Sequence, residues 1–156
     1  MEGTMRDGRL NGYAADWCER SAATRYRLER VDENVCDAYT TEDTPVRMLG
    51  AGVPVEVKGC ARSIDNGHGR GMKGRFTFHV GAFEELVERG GEVALVVYEE
   101  VDDSILVRRC GLVPASVVKD LLSPTGRSYT KLSWGDVYRD LEEPYRRETT
   151  TTDKKR

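Results

Sequence analysis

Cysteine and histidine are scarce in this chain of 156 residues, which has four cysteines and two histidines. The cysteines stand apart with no Cys-x-x-Cys pair, so the sequence indicates neither a zinc ribbon nor a disulfide framework. Reduced thiols, as in intracellular proteins, are therefore the expectation. With so little histidine and no Gly-x-Ser-x-Gly sequence, a hydrolase built on a catalytic triad is disfavoured.

Long apolar runs are also missing. No stretch approaches the roughly 20 apolar residues that cross a bilayer, and no apolar run follows the first residues as in a secretory leader. We therefore expect no membrane association and a cytoplasmic location, or an intracellular one for a virus-encoded protein. The length suits one domain, which we place at residues 11–142, between a short lead at 1–10 and a disordered tail at 143–156.

Excess positive charge is absent overall, because the net charge is −3 at neutral pH. A nucleic-acid partner would have to be bound by a local cluster of cations. Residues 62–75 are the best candidate, with four glycines and four cations opposed only by Asp65. We expect a mobile basic loop there. A solvated connection whose cations serve solubility is the alternative.

Hydrophobic periodicity predicts an α/β domain. The expected elements are a helix from Asn11, a strand at 35–40, a hairpin of 46–49 with 53–59, a short strand from Phe76, a helix at 82–89, a buried strand at 93–98, an edge strand at 105–110, a helix after Pro114 and a segment at 129–138 that covers a sheet edge.

Residues 53–59 form the most informative stretch. On a strand, successive side chains point to opposite faces, so Glu56 and Lys58 share one face while Val55 and Val57 point to a core. A phosphodiester nuclease needs a carboxylate that holds a divalent metal and a cation beside the water that attacks phosphorus. The same alternation also occurs in any half-buried strand with a solvated face.

The order of further acids adds to this motif. Asp16 follows Gly12 and Ala15 on the first helix, Asp37 lies on the next strand, and Glu56 and Lys58 follow on the third. This order resembles the PD-(D/E)XK nuclease superfamily over residues 11–98. It is most similar to the archaeal Holliday-junction resolvases and to small haloarchaeal and archaeal-virus members.

The resemblance implies a restriction-endonuclease-like α/β/α core with a central mixed sheet. It also implies a Mg²⁺-dependent or Mn²⁺-dependent DNA endonuclease, acting on Holliday junctions or other branched DNA. By analogy, the metal ligands are Asp37, Glu56 and the carbonyl of Val57. Lys58 would orient the attacking water or stabilise the developing charge, and Asp16 would be the helix acid.

Several alternatives stay open. Glu19 could replace Asp16, and Asp43 could replace Asp37. The protein could bind DNA or a protein partner without cutting, or it could act on RNA. We also expect a homodimer, since cutting both strands normally needs two centres. The expected DNA contacts are the cations and histidine of the basic loop: Arg62, His68, Arg70, Lys73 and Arg75.

Overall fold

A computed structural model describes residues 11–34, 36–65, 71–122 and 126–141. The predicted lead at 1–10 and the predicted tail at 143–156 lie outside these ranges, as do His68 and Arg70.

Four helices and nine strands are present in the described residues. In chain order they are α1 (Asn11–Tyr26), β1 (Glu29–Arg30), β2 (Ala38–Tyr39), β3 (Pro54–Ala61), β4 (Ser63–Asp65), β5 (Gly71–Lys73), β6 (Arg75–His79), α2 (Val80–Glu88), β7 (Glu92–Val101), β8 (Ser104–Pro114), α3 (Ala115–Leu121), β9 (Tyr129–Ser133) and α4 (Trp134–Asp140).

A mixed sheet of five strands forms the centre, in the order β1-β2-β3-β7-β8. Strands β3 and β7 run parallel, and the other neighbours are antiparallel. Strand β7 is apolar from Val93 to Val97 and fully buried there, as expected for a strand covered on both faces. Strand β8 is the last strand on its side, which agrees with the edge position expected for 105–110.

Helices cover both faces of this sheet. Helix α1 packs through Cys18, Ala22 and Tyr26 on a cluster that includes Val55 and Val96. Helices α2, α3 and α4 pack on the opposite face together with Phe76 and Phe78 of β6. The alternation along each strand thus supplies two apolar faces, and the expected α/β fold with a mixed sheet and flanking helices is confirmed.

A close approach fixes α1 against β3. An added Cβ at Gly59 would lie 2.5 Å from the Sγ atom of Cys18 and 3.2 Å from its Cβ atom. Glycine lets the helix and the strand pack this tightly. Glu19 follows Cys18 directly, so this contact also sets where the acidic side of α1 lies.

The predicted hairpin of 46–49 with 53–59 is wrong. Residues 46–49 form a turn in which Arg47 and Met48 have φ of 50° and 54°. Arg47 extends to the buried Glu92 and to the carbonyl of Leu112. The antiparallel partner of β3 is β2, through the pair Ala38 and Val55.

Two other segments differ from the sequence prediction. The expected loop at 62–75 contains a paired hairpin, because β4 and β5 are antiparallel partners. Strand β9 pairs with β6 in a separate two-stranded sheet, so the 129–138 segment does not lie on an edge of the main sheet. No helix in the described part of the chain is long and apolar enough to cross a membrane.

Replacing Gly59 by alanine should lower the free energy of unfolding by about 1–3 kcal/mol, because the added methyl group overlaps Cys18. Thermal and urea unfolding measure this. Gly81→Ala is the matched control, since nothing lies within 4 Å of an added Cβ there and Gly81 is inside α2. A Gly59→Ala variant as stable as the wild type would contradict the close packing.

Candidate active site

Asp37 lies directly before β2 in the chain, next to the part of β3 that carries Glu56 and Lys58. Strand β2 pairs only with Pro54 and Val55, and continuing this register by one residue places Asp37 opposite Glu56. The Asp37 amide donates a hydrogen bond to the Val55 carbonyl at 2.9 Å. The Val57 amide donates to Oδ2 of Asp37 at 2.7 Å, so the carboxylate is directed at β3.

Glu56 and Lys58 form an ion pair on this strand. The Nζ atom of Lys58 lies 3.1 Å from Oε2 of Glu56, and both side chains are 18% exposed. The Lys58 ammonium also lies 5.8 Å from the ring centre of Phe78 on β6. Val55 and Val57 pack on the α1 side, as their alternation with Glu56 and Lys58 predicts.

The pKa of Asp37 depends on its burial and on the neighbouring groups of β3. Burial raises the pKa of Asp37, and the hydrogen bond from Val57 partly offsets that rise. The negative charge of Glu56 raises the pKa of Asp37 further, while the cation of Lys58 lowers it. The structure therefore brings these three predicted site residues together.

The helix acids differ in their surroundings. Burial raises the pKa of Glu19, and the charge of Asp37 adds to the rise. Asp16 is more exposed, and its hydrogen bonds with Arg30 and Arg20 lower its pKa. Glu19, the alternative left open by the sequence, is thus the helix acid whose pKa the charge of Asp37 affects.

Arg30 is a residue of this cluster that sequence reasoning missed. Its Nη2 atom donates to Oδ1 of Asp16 and to Oε1 of Glu19, at 3.0 Å each. Its charge also lowers the pKa of Asp37. The sequence held no usable signal for Arg30, because β1 has only two residues and both are exposed.

Few side chains that could bind a metal ion lie close together in the described residues. Across the described ranges, no three or more Asp, Glu, His or Cys side chains form a group that could hold a metal ion. Asp37 and Glu56 remain as two adjacent carboxylates, which suits Mg²⁺ because it commonly takes one or two carboxylates with water and substrate oxygens. Asp43 is exposed in the turn after β2, where its amide donates to Thr41.

The basic segment has mixed surroundings. Arg62 pairs with Glu99 at 3.2 Å, and its carbonyl accepts a hydrogen bond from the Trp134 indole at 2.8 Å. The Lys73 ammonium lies 5.7 Å from the Trp134 ring centre. Arg75 is exposed on β6. The predicted role of Arg62, Lys73 and Arg75 in DNA binding remains a proposal.

Comparison with protein families gives a match over most of the chain. A family model described as a PD-(D/E)XK nuclease superfamily domain matches residues 5–151. No curated protein matches the chain. The matched region includes α1, Asp37 directly before β2, the strand β3 that carries Glu56 and Lys58, and the helices on the other face.

Replacing Asp37 by asparagine should increase the free energy of unfolding of the metal-free protein, relative to the wild type, more at pH 7 than at pH 3. The raised pKa means that the stability from this carboxyl is fully present below its ordinary pKa of 3.8 and is lost as the pH rises through the raised value. Asparagine removes that loss and can still accept the Val57 hydrogen bond. Unfolding measured from pH 3 to pH 7 with a chelator tests this.

Asp43→Asn is the control, because it removes an exposed acid outside the cluster. The stability difference between Asp37→Asn and the wild type should increase with pH. A difference that is the same at pH 3 and pH 7 would contradict the proposed desolvation of Asp37.

Proposed function

Since the chain belongs to the PD-(D/E)XK nuclease superfamily, we propose that it is a divalent-metal-dependent DNA endonuclease. One observation carries this proposal. Continuing the register of β2 and β3 places Asp37 opposite Glu56, Glu56 pairs with Lys58, and the charges of both act on the Asp37 carboxyl. A site with two carboxylates and an ammonium suits the binding of a metal ion and a phosphate.

Asp37 and Glu56 would hold Mg²⁺ or Mn²⁺, with the Val57 carbonyl as a further ligand. When bound, the ion would supply Lewis-acid polarisation of the phosphate and an activated water. The Val57 amide fixes the Asp37 carboxylate at 2.7 Å, which orients one of the two ligands before any ion binds.

Lys58 would stabilise the charge that develops at phosphorus. A lysine normally stays protonated at neutral pH, so an electrostatic role is favoured over that of a general base. Its ion pair with Glu56 and its position over the Phe78 ring hold the ammonium on the side of β3 that faces away from α1. Glu19 would complete the acidic site from α1, while Asp16 would act on Glu19 through the shared partner Arg30.

Branched DNA, including the Holliday junction, is the proposed substrate. Support comes from the short arrangement of Gly12, Asp16, Asp37, Glu56 and Lys58, which resembles the resolvase branch of the superfamily. A nuclease-like protein that binds DNA or protein without cutting is the alternative. Two ion pairs, Glu56 with Lys58 and Glu19 with Arg30, favour this alternative. They neutralise carboxylates whose negative charge would otherwise attract a metal ion.

Replacing Glu56 by glutamine should lower metal-dependent cleavage of four-way-junction DNA by at least about 100-fold, because one charged ligand is lost. Folding should be nearly unchanged, since glutamine keeps the size of the side chain and can still bond to Lys58. Cleavage with Mg²⁺, Mn²⁺ or chelator measures the effect on linear, supercoiled and four-way-junction DNA.

The matched control for that assay is Glu88→Gln, which removes an exposed acid at the end of α2. Cleavage by Glu56→Gln at the wild-type rate would contradict the mechanism. Binding of junction DNA by the wild type without any cleavage, in all metals, would favour the alternative.

A homodimer is part of the proposal. Within the described residues, no strand pairs with the outer edge of β8, and β9 has a partner only in β6. Pairing of such edges across a two-fold axis would satisfy their backbone groups and provide two centres for two strands. Light scattering at tens of micromolar should give about twice the chain mass. A monomer at that concentration would count against the dimer.

A further inference from the structure

The two-stranded sheet of β6 and β9 has one buried side and one polar side. Phe76 and Phe78 of β6 are fully buried against the core. In an antiparallel pair, residues directly opposite each other lie on the same face. The side opposite the phenylalanines, here termed the ribbon face, consists of Arg75, Thr77, His79, Tyr129, Lys131 and Ser133.

Two cations on the ribbon face are available to a ligand. Arg75 and Lys131 are both exposed, and within the described residues neither forms an ion pair with a carboxylate. The register places Lys131 opposite Thr77, so Arg75 and Lys131 are diagonal neighbours about 7–8 Å apart at the backbone. The Lys131 ammonium lies 5.8 Å from the ring centre of Tyr129, which is itself 38% exposed.

The ribbon face is also one wall of a cleft of about 740 Å³. Arg75, Thr77 and Lys131 line it on one side. The other walls are the end of β3 with the residues that follow it, 59–64, and the end of β7, 98–100. Gly59 is the first residue of β3 that lines the cleft, and it follows the proposed catalytic Lys58 in sequence.

Acidic residues of the cleft are largely neutralised by neighbouring cations. Glu99 accepts hydrogen bonds from Arg108 at 2.7 Å and from Arg62 at 3.2 Å, and these two arginines lower its pKa. Glu100 is the remaining lining acid. With Glu99 paired to Arg62 and Arg108, the lining cations Arg75 and Lys131 remain against one described lining acid, Glu100, which favours an anionic ligand.

We propose that the ribbon face and its cleft bind the sugar–phosphate backbone of DNA beside the cleaved bond. Arg75 and Lys131 each neutralise one phosphate, and the Thr77 hydroxyl donates a hydrogen bond to the same strand. This inference rests on the proposed nuclease function. Beyond Arg75, which the sequence already predicts as a DNA contact, it adds Thr77 and Lys131, so the contact extends from the basic segment at 62–75 onto β9.

The test is binding of fluorescent four-way-junction and linear duplex DNA, measured by polarisation from 50 to 300 mM salt. All proteins carry Glu56→Gln to prevent cleavage. Arg75→Gln with Lys131→Gln should reduce the slope of log affinity against log salt by about 1.8, from ~0.9 for each phosphate contact. At 0.1 M salt, affinity should fall roughly 10- to 60-fold.

The matched control is Arg25→Gln with Lys119→Gln, which removes the same charge from exposed positions on α1 and α3. Its affinity and salt slope should change little. Lys131→Gln alone should give about half the slope change of the double variant. Thermal unfolding verifies that each variant is folded.

The outcomes separate this inference from the proposed function. The double variant Arg75→Gln with Lys131→Gln is termed the ribbon variant. If Glu56→Gln removes cleavage but the ribbon variant binds as the control does, the inference is wrong and the nuclease function stands. If the ribbon variant loses affinity as expected while the wild type never cleaves DNA, the inference stands and the nuclease function fails. A wild-type protein that neither binds nor cleaves DNA would overturn both.

Discussion

The close contact between α1 and β3 at Gly59 is the constraint on which the site depends. Without a side chain at Gly59, Cys18 packs directly on the strand, and the buried face of α1 is fixed in rotation. Glu19 comes next on the helix, where burial and then the charge of Asp37 raise its pKa. Strand β3 meanwhile carries Glu56 and Lys58 within three residues of the contact. A single helix–strand packing thus determines the position of acids from separate parts of the chain.

Grouping these acids has an energetic cost that the surrounding residues reduce. Burial raises the pKa of both Asp37 and Glu19, so ionisation of either carboxyl lowers the stability of the folded protein. The Val57 amide, Lys58 and Arg30 offset part of this cost by a hydrogen bond or a nearby positive charge. Carboxyls whose pKa is raised by burial beside other charged groups are common at functional sites. A bound divalent cation would relieve the remaining repulsion between Asp37 and Glu56.

The sequence predicted those parts of the fold that depend on local periodicity. The buried strand at 93–98 and the alternation around Glu56 and Lys58 follow from residue patterns within a few positions. The turn at 46–49 could not be predicted in this way. It depends on Arg47, which bonds to Glu92 across 45 positions, and on Thr40, which bonds to the Gly50 carbonyl and the Val53 amide. The pairing of β6 with β9 is also long-range. For the same reason the sequence left Asp16 and Glu19 as alternatives, because helix rotation is set by tertiary packing.

The central claim is that Asp37 and Glu56 share one divalent cation, and direct measurement of metal binding tests it best. Titration of the protein with Mn²⁺ at pH 7, followed by calorimetry or electron paramagnetic resonance, should give one ion per chain in the absence of DNA. Asp37→Asn and Glu56→Gln should each weaken that binding at least about tenfold, whereas Asp43→Asn should leave it unchanged. Equal Mn²⁺ affinity in the wild type and in both site variants would contradict the account.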